Sequence, residues 1–201
     1  MKEFIGKNCL WANKNYKAVA IGVSTGGMEA LKCILPKLPE NFKWPVFIVY
    51  HVHKTSDDFL VCHLNEVSHL RVKQAEDKEL IEPGVVYIAP PDYHLLIEWE
   101  GTIALSTGER VNYTRPSIDV LFETAVDVYG ETLIGIILTG ANKDGSEGAR
   151  KIKTAGGFVV VQDPETAEID TMPRAAMAAV EPDLILSLEE IADFLCNLKQ
   201  E

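Results

Sequence analysis

The 201-residue sequence has few basic residues, few cysteines and no long apolar run. Its 19 lysines and arginines are outnumbered by 30 aspartates and glutamates, which gives a formal net charge of −11. Binding to nucleic acid or to an anionic membrane depends on clustered positive charge, so neither partner is expected. The longest apolar runs, 132–138 and 158–161, are far below the roughly 20 residues of a membrane-spanning helix, so no membrane insertion is expected.

The cysteines form no C-x-x-C pair: Cys9, Cys33, Cys62 and Cys196. Scattered cysteines of this kind indicate neither a zinc site nor a redox motif. Residues 1–16 lack the continuous apolar centre and the small-residue cleavage site of a secretory signal. We therefore predict a reduced, cytoplasmic protein. Its length suits a single core, which predicts one domain over residues 17–201 after an N-terminal extension of residues 1–16.

Short apolar runs alternate with segments of helical period along most of the chain. The runs predict strands at 18–23, 45–50, 132–139, 157–162 and 184–186, and the periodic segments predict helices at 27–38, 57–69, 146–155 and 188–198. Strands that are apolar on both faces need cover on both faces, which predicts a doubly wound α/β fold with a mostly parallel sheet between helices. Three runs in the middle, 85–89, 94–99 and 102–106, are separated by polar turns and predict an antiparallel insertion.

Residues 21–31, IGVSTGGMEAL, join the first predicted strand to its helix. Residues 22–26 fit G-x-S-x-G, the pattern of a nucleophile elbow, in which a sharp turn raises the Ser24 hydroxyl above the sheet. The helix from Gly27 would direct its first N–H groups at the same spot and stabilise an oxyanion. A dinucleotide-binding loop is disfavoured, because Ser24 replaces the middle glycine and the second strand ends in Tyr50-His51 instead of an acid. The motif alone does not decide between an elbow and an ordinary tight turn.

A serine nucleophile needs a base and an acid that orients the base. His51 directly follows the second predicted strand, and Asp144 follows the strand at 132–139 and precedes a helix. Each is also explained as a turn residue, and Asp144 as a helix N-cap. Because the carboxyl ends of parallel strands share one edge of a sheet, the three residues together predict a Ser24–His51–Asp144 triad.

Two metal-site interpretations fail. His51-Val52-His53 would continue as H-x-H-x-D-H in a dinuclear hydrolase, but Thr55 and Ser56 follow instead. A calcium loop that included Asp144 would begin at Gly140 and end at Lys151, and neither residue carries a carboxylate. We expect no metal and no cofactor.

Six segments occur in a particular order along the chain: IGVSTGGMEAL, IVYH, YIAPPDYHL, RPSIDVLF, ILTGANKDG and MPRAA. From about residue 17 to the C-terminus, this order resembles the catalytic domain of CheB-type chemotaxis protein-glutamate methylesterases. The resemblance implies hydrolysis of γ-glutamyl methyl esters on the cytoplasmic helices of methylated chemoreceptors, with release of methanol. It also implies the family's related activity, deamidation of receptor glutamines.

The resemblance implies the same three catalytic roles, with Ser24 as nucleophile, His51 as general base and Asp144 as orienting acid. It gives supporting roles, in anchoring loops or shaping the entrance, to a further set: Thr25, Gly26, Arg115, Ser117, Asp119, Met172 and Arg174. Regulated members carry an N-terminal receiver domain, whereas only about 16 residues precede the first strand here. Control by phosphorylation within this chain is therefore not expected, and a separate receiver protein is the partner that such control would require.

One motif departs from the family pattern. The family usually has GMGxDG, and this chain has GANKDG at 140–145, so that Ala141 replaces a methionine and Asn142 a glycine. Asparagine tolerates a left-handed backbone better than most residues, so we expect the loop to keep its shape. The altered loop keeps a second hypothesis open, in which the domain is a non-catalytic binding module that docks to a receptor or signalling partner.

Overall fold

The computed structural model describes residues 14–51 and 59–198. In chain order, the strands and helices of these residues are β1 (Ala18–Val23), α1 (Gly27–Ile34), β2 (Val46–Tyr50), α2 (Phe59–Val67), β3 (Arg71–Gln74), β4 (Val85–Ile88), β5 (His94–Ile97), β6 (Ile103–Ser106), α3 (Ile118–Tyr129), β7 (Leu133–Ile137), α4 (Ser146–Thr154), β8 (Phe158–Gln162), α5 (Thr171–Ala179), β9 (Leu184–Leu186) and α6 (Leu188–Cys196).

Seven strands form a sheet in the order β3-β4-β2-β1-β7-β8-β9, and each neighbouring pair is parallel. The chain moves from the central strand β1 to β2 on one side and later returns to β7 on the other side. A reversal of this kind opens a crevice at the carboxyl ends of the strands, where open α/β sheets bind their ligands. The fold therefore brings the ends of β2, β1 and β7 together at one switch point.

Helices cover both faces of the sheet. One cluster of buried apolar side chains joins the first face to α1, α2 and α6, and a second joins the opposite face to α3, α4 and α5. Along β1, Val19, Ile21 and Val23 point into the first cluster, whereas Ala18 and Ala20 point into the second. All six residues of β1 are buried, as a fully apolar strand between two helical layers requires. The predicted doubly wound α/β fold is confirmed.

The central part of the chain differs from the prediction. β5 and β6 pair in antiparallel fashion, as expected, but β4 pairs in parallel with β2 and β3 inside the main sheet. Placing residues 85–89 in the antiparallel insertion was therefore wrong. All four residues of β4 are buried, as in β1, β7 and β8 of the main sheet. The polar turns on either side of a run mark where a strand ends, but they do not show which strand it pairs with.

The sequence analysis did not assign β3, α3 or α5. β3 reads RVKQ and buries only Val72, so its composition resembles a loop. α5 carries Pro173 in its first turn, a position that a helix tolerates although proline usually breaks one. α3 has clear helical periodicity, with six of its twelve residues buried, and could have been predicted.

The structure describes the chain on both sides of the predicted domain boundary at residue 17, beginning at residue 14. Tyr16, just before the predicted boundary at residue 17, is buried and packs its ring against Phe158. The division of the chain at that residue stays a prediction.

Cys9 lies outside the described residues, and the other three cysteines are free thiols. Among the residues that the structure describes, no helix has the length and apolar character needed to span a bilayer.

Candidate active site

Ser24 lies in a tight turn between β1 and α1. Its N–H donates to the Thr139 carbonyl (3.0 Å), and its own carbonyl accepts from the Gly27 N–H (2.9 Å). This strand–turn–helix arrangement is the context that a nucleophile elbow requires. Only 8% of Ser24 is exposed, and its Oγ makes no hydrogen bond to another described residue. The hydroxyl is therefore free to engage a substrate and a base.

Two features of the turn exclude a side chain at Gly26. Its φ is 81°, in the left-handed region, and a Cβ at this position would lie 2.8 Å from Glu168 Cβ and 3.1 Å from Thr139 Cγ2. The elbow therefore depends on the absence of a side chain here, both for its backbone conformation and for its close approach to the segment before α5.

We expect Gly26→Ala to destabilise the protein more than Gly101→Ala does. Gly101 has a nearly identical φ of 78°, but nothing lies within 4 Å of its missing Cβ. Gly101→Ala should therefore cost only the backbone strain, about 1–2 kcal/mol, whereas Gly26→Ala adds a steric clash and displaces Ser24. Denaturant unfolding together with an esterase assay measures both effects. Equal losses of stability would show that the crowding at Gly26 is unimportant.

The backbone N–H groups of Thr25 and Gly26 have no acceptor among the described residues, so both can donate to an oxyanion beside Ser24. The residue after the nucleophile is the usual donor in an elbow. The expectation that the helix start at Gly27 supplies such a donor is wrong for Gly27 itself, because its N–H is bonded to the Ser24 carbonyl.

His51 is the first residue after β2 and lies beside the elbow. Its backbone N–H donates to the Val23 carbonyl (3.1 Å), and the register pairs Val23 with Tyr50. Because Val23 and Tyr50 are paired, the residues that follow them, Ser24 and His51, lie at the same level of the sheet. Their two strands are neighbours and are therefore about 4.8 Å apart. The His51 ring is held by Asp144 Oδ2, 2.9 Å from Nε2, and by Asn142 Nδ2, 3.2 Å from Nδ1.

Asp144 is fully buried in the loop between β7 and α4, with its carboxylate at the amino end of α3. Besides the His51 ring, five donors reach it: Ile118 N–H (2.6 Å), Ser117 Oγ (2.8 Å), Asn112 Nδ2 (3.0 Å), Thr114 Oγ1 (3.2 Å) and Asp119 N–H (3.3 Å). Burial alone would raise the pKa of Asp144, but the hydrogen bonds from His51, Ile118 and Asn112 outweigh it and lower the pKa to about 2. The carboxylate is therefore ionised at neutral pH and accepts from the His51 ring.

A second buried carboxyl group lies behind Asp144. Asp119 accepts from the Gly148 N–H and from Asn112 Nδ2, both at 2.7 Å. Burial, with a smaller contribution from the nearby Asp144 charge, raises the pKa of Asp119 to about 6 against the effect of these two donors. Asn112 thus bridges the two carboxyl groups, and its own φ of 51° is in the left-handed region. The sequence analysis missed Asn112, and its only local hint is that asparagine favours such turns.

A small cleft of about 140 Å³ opens beside His51, between the ring and residues 110–116. Arg115 holds one wall of this cleft through Asp92 (2.9 Å) and through the carbonyls of Thr107 (2.6 Å) and Gly108 (2.8 Å). Tyr113 stands at the rim and is 95% exposed. Arg115 thus contacts the loop next to the site, which agrees with an anchoring role.

The other predicted supporting residues differ in their distance from the serine. Met172 is buried, and its Sδ packs so closely on Gly140 that a Cβ there would lie 2.0 Å from the sulfur and 2.8 Å from Ser24 Cβ. Met172 therefore forms part of the wall beside Ser24. Arg174 instead pairs at the surface with Asp170 and Glu165, which both lie in the segment before α5, and it has no ion pair with the triad among the described residues.

No group of three or more His, Cys, Asp or Glu side chains within residues 14–51 and 59–198 is arranged to hold a metal ion. His53, the second histidine of the rejected H-x-H motif, lies outside these ranges. The expectation that the protein works without a metal or cofactor stays a prediction.

Comparison with known proteins gives one consistent result. The sequence model of the CheB methylesterase family matches residues 19–195. A Leptospira interrogans protein called a putative protein-glutamate methylesterase/protein-glutamine glutaminase is 55% identical over 186 residues, which are 92% of this chain and 96% of that protein. A Thermotoga maritima protein-glutamate methylesterase/protein-glutamine glutaminase is 38% identical, and the match covers 90% of this chain and 54% of that protein.

The fold comparison agrees with the sequence comparison. The crystal structure of the Thermotoga maritima CheB methylesterase catalytic domain superposes with a TM-score of 0.88 at 38% identity, covering 92% of this chain and 100% of that domain. This chain therefore spans nearly all of the Leptospira relative but only about half of the full Thermotoga relative.

Proposed function

Because the chain belongs to the CheB methylesterase family, we propose that it is a protein-glutamate methylesterase that cleaves γ-glutamyl methyl esters on chemoreceptor helices. The observation that carries this proposal is the placement of Ser24, His51 and Asp144 at three neighbouring strand ends, with the His51 ring bonded to the Asp144 carboxylate. The names of the relatives supply the substrate class, because each is called a methylesterase acting on protein glutamate.

In the proposed mechanism, Ser24 Oγ attacks the ester carbonyl while His51 Nδ1 accepts the serine proton, since Nε2 faces Asp144. The N–H groups of Thr25 and Gly26 stabilise the oxyanion. His51 then returns the proton to the departing methoxide, which leaves as methanol. Water, activated by the same ring, attacks the acyl-serine, and this second attack releases glutamate and restores Ser24. Asp144 stabilises the protonated imidazole at both stages.

The same residues suit deamidation of glutamine, the second activity in the relatives' names. The acyl-serine intermediate would be identical, and ammonia would take the place of methanol as the leaving group. Protonation by His51 matters more in this case, because an amide nitrogen leaves only as a neutral amine.

The alternative of a non-catalytic binding module has no support. The relatives described above are named as enzymes, and the altered loop keeps Asp144 within hydrogen-bond distance of His51. We propose methylated cytoplasmic receptor helices as the partners and the cytoplasm as the location. A separate receiver protein as a regulatory partner also stays a proposal, as does the absence of nucleic-acid binding.

The proposed function is tested by incubating the protein with membranes whose chemoreceptors carry radiolabelled methyl esters. We expect release of labelled methanol, and a gain of about one mass unit at receptor glutamines that are deamidated. Membranes with receptors that lack the methylatable glutamates are the control and should release none. Intact esters and unchanged glutamines in the methylated membranes would contradict the proposal.

A further inference from the structure

The Asn142 side chain has two hydrogen bonds that together fix its orientation. Its Oδ1 accepts the backbone N–H of Asp144 (3.0 Å), and its Nδ2 lies 3.2 Å from His51 Nδ1. If the amide were turned over, Nδ2 would face the Asp144 N–H and two donors would meet. The Asp144 N–H therefore requires that Asn142 present its NH₂ group to the histidine.

The orientation of Asn142 determines where the proton of His51 lies. Nδ1 faces a donor, so it must be the unprotonated nitrogen, and the proton is on Nε2, facing the ionised Asp144. This tautomer is the one that the proposed reaction requires. However, Nδ1 has a single lone pair, and this lone pair accepts the hydrogen bond from Asn142 Nδ2. Ser24 Oγ has no hydrogen-bond partner among the described residues.

We propose that Asn142 is a positioning residue that holds His51 in a resting state, and that Ser24 becomes a nucleophile only when Asn142 Nδ2 leaves His51 Nδ1. The inference rests on the proposed function, because it uses Ser24 and His51 in their catalytic roles. One lone pair cannot accept from the amide and from the serine hydroxyl at the same time. Each turnover must therefore exchange the Asn142 N–H for the Ser24 O–H before the proton can move.

Two substitutions separate the two hydrogen bonds of Asn142. In Asn142→Ser, a short hydroxyl can still accept the N–H two residues ahead but does not reach His51, so the loop keeps its anchor and Nδ1 becomes free. In Asn142→Asp, one carboxylate oxygen can still accept the Asp144 N–H, but the second oxygen faces His51 Nδ1 and favours a proton on that nitrogen. Catalysis requires Nδ1 to be unprotonated.

The test measures the rate at which a fluorophosphonate probe labels Ser24, across a range of pH and with the labelled peptide identified by mass. Exchange of one hydrogen bond between neutral groups predicts that Asn142→Ser is labelled about two- to tenfold faster than the unsubstituted protein. Asn142→Asp should be labelled more slowly at neutral pH, and its half-maximal rate should move to higher pH. The charged or titratable groups that line the cleft beside His51 or bond its ring, namely Asp144, Arg110, Tyr113 and Arg115, are the same in all three proteins, as is Asp119 behind Asp144.

The outcomes distinguish this inference from the proposed function. If the unsubstituted protein is not labelled at Ser24, the esterase proposal falls and this inference falls with it. If it is labelled and Asn142→Ser is no faster while melting at the same temperature, Asn142 does not restrain His51 and only this inference is overturned. If Asn142→Ser does not fold, Asn142→Asp decides, because a pH profile identical to that of the unsubstituted protein would also overturn it. A loop that had merely loosened would slow labelling and would not accelerate it.

Discussion

Ser24→Ala is expected to lower the rate of methyl-ester hydrolysis on the order of 10⁴- to 10⁶-fold. Without the hydroxyl there is no acyl-enzyme, and only the binding and oxyanion contributions of the site remain. The free energy of unfolding should change by less than about 1 kcal/mol, because Ser24 Oγ makes no hydrogen bond to another described residue. Methanol release and denaturant unfolding, measured on the same preparation, test both parts.

Ser68→Ala is the matched control for this substitution. Ser68 lies just before β3, at the amino-terminal edge of the sheet, opposite the edge that carries the candidate site. We expect full activity from Ser68→Ala. Substantial hydrolysis by Ser24→Ala, with Ser68→Ala as the reference, would show that another group is the nucleophile.

Asp144→Asn is expected to remove both activity and stability. Loss of the carboxylate that orients His51 should lower the rate by about 10⁴-fold. The new NH₂ group must also face donors, since the His51 ring, the Ser117 and Thr114 hydroxyls and three N–H groups converge on the two carboxylate oxygens. Leaving such buried donors unpaired should cost about 3 kcal/mol of unfolding free energy. Asp170→Asn, at an exposed ion pair with Arg174, should cost less than about 1 kcal/mol.

The pH dependence of stability gives an independent check on Asp144. Its pKa is about 2 in the folded protein and about 3.9 in an unfolded chain, so the unfolded state binds more protons between these values. The contribution of Asp144 is therefore fully present above about pH 5 and is lost as pH falls towards 2. Asp119, with its pKa raised to about 6, acts in the opposite sense and loses its contribution as pH rises from about 4 to 6. Asp144→Asn should flatten the lower window, and it should also narrow the upper one because the Asp144 charge helps to raise the pKa of Asp119. Stability that falls between pH 5 and 2 as steeply as in the unsubstituted protein would contradict this assignment.

The fold and the three central residues could be predicted because each depends on local pattern. AVAIGV and LIGII are apolar throughout, so they indicate buried parallel strands, and the carboxyl ends of such strands share one edge. Ser24 and His51 each follow such a strand directly, and Asp144 lies in the loop that follows β7. Topology then brings together residues that lie up to 120 positions apart in the sequence, by the numbering alone.

The remainder of the site depends on contacts that no local pattern encodes. Asn112 reaches Asp119 and Asp144 only because the turn at residues 111–114 folds back over the start of α3. β4 could not be assigned to the main sheet, because its pairing with β2 depends on where the chain runs after β3. Asn142 was recognised as a departure from the family motif, but its contact with His51 follows from side-chain geometry.

The candidate triad is held by two kinds of structure that need not open together. Ser24 and His51 are fixed by backbone hydrogen bonds at the ends of central strands, whereas the donors that hold Asp144 come largely from the connecting segment at 112–119. Segments with fewer buried contacts exchange their amide hydrogens through local openings, at lower free energy than the core of a sheet. We therefore expect mild denaturant to free the acid first and to produce an inactive form whose amides in β1 and β2 are still protected from exchange. In such a protein, the midpoint of inactivation would precede the midpoint of unfolding, and the site would recover by refolding one loop.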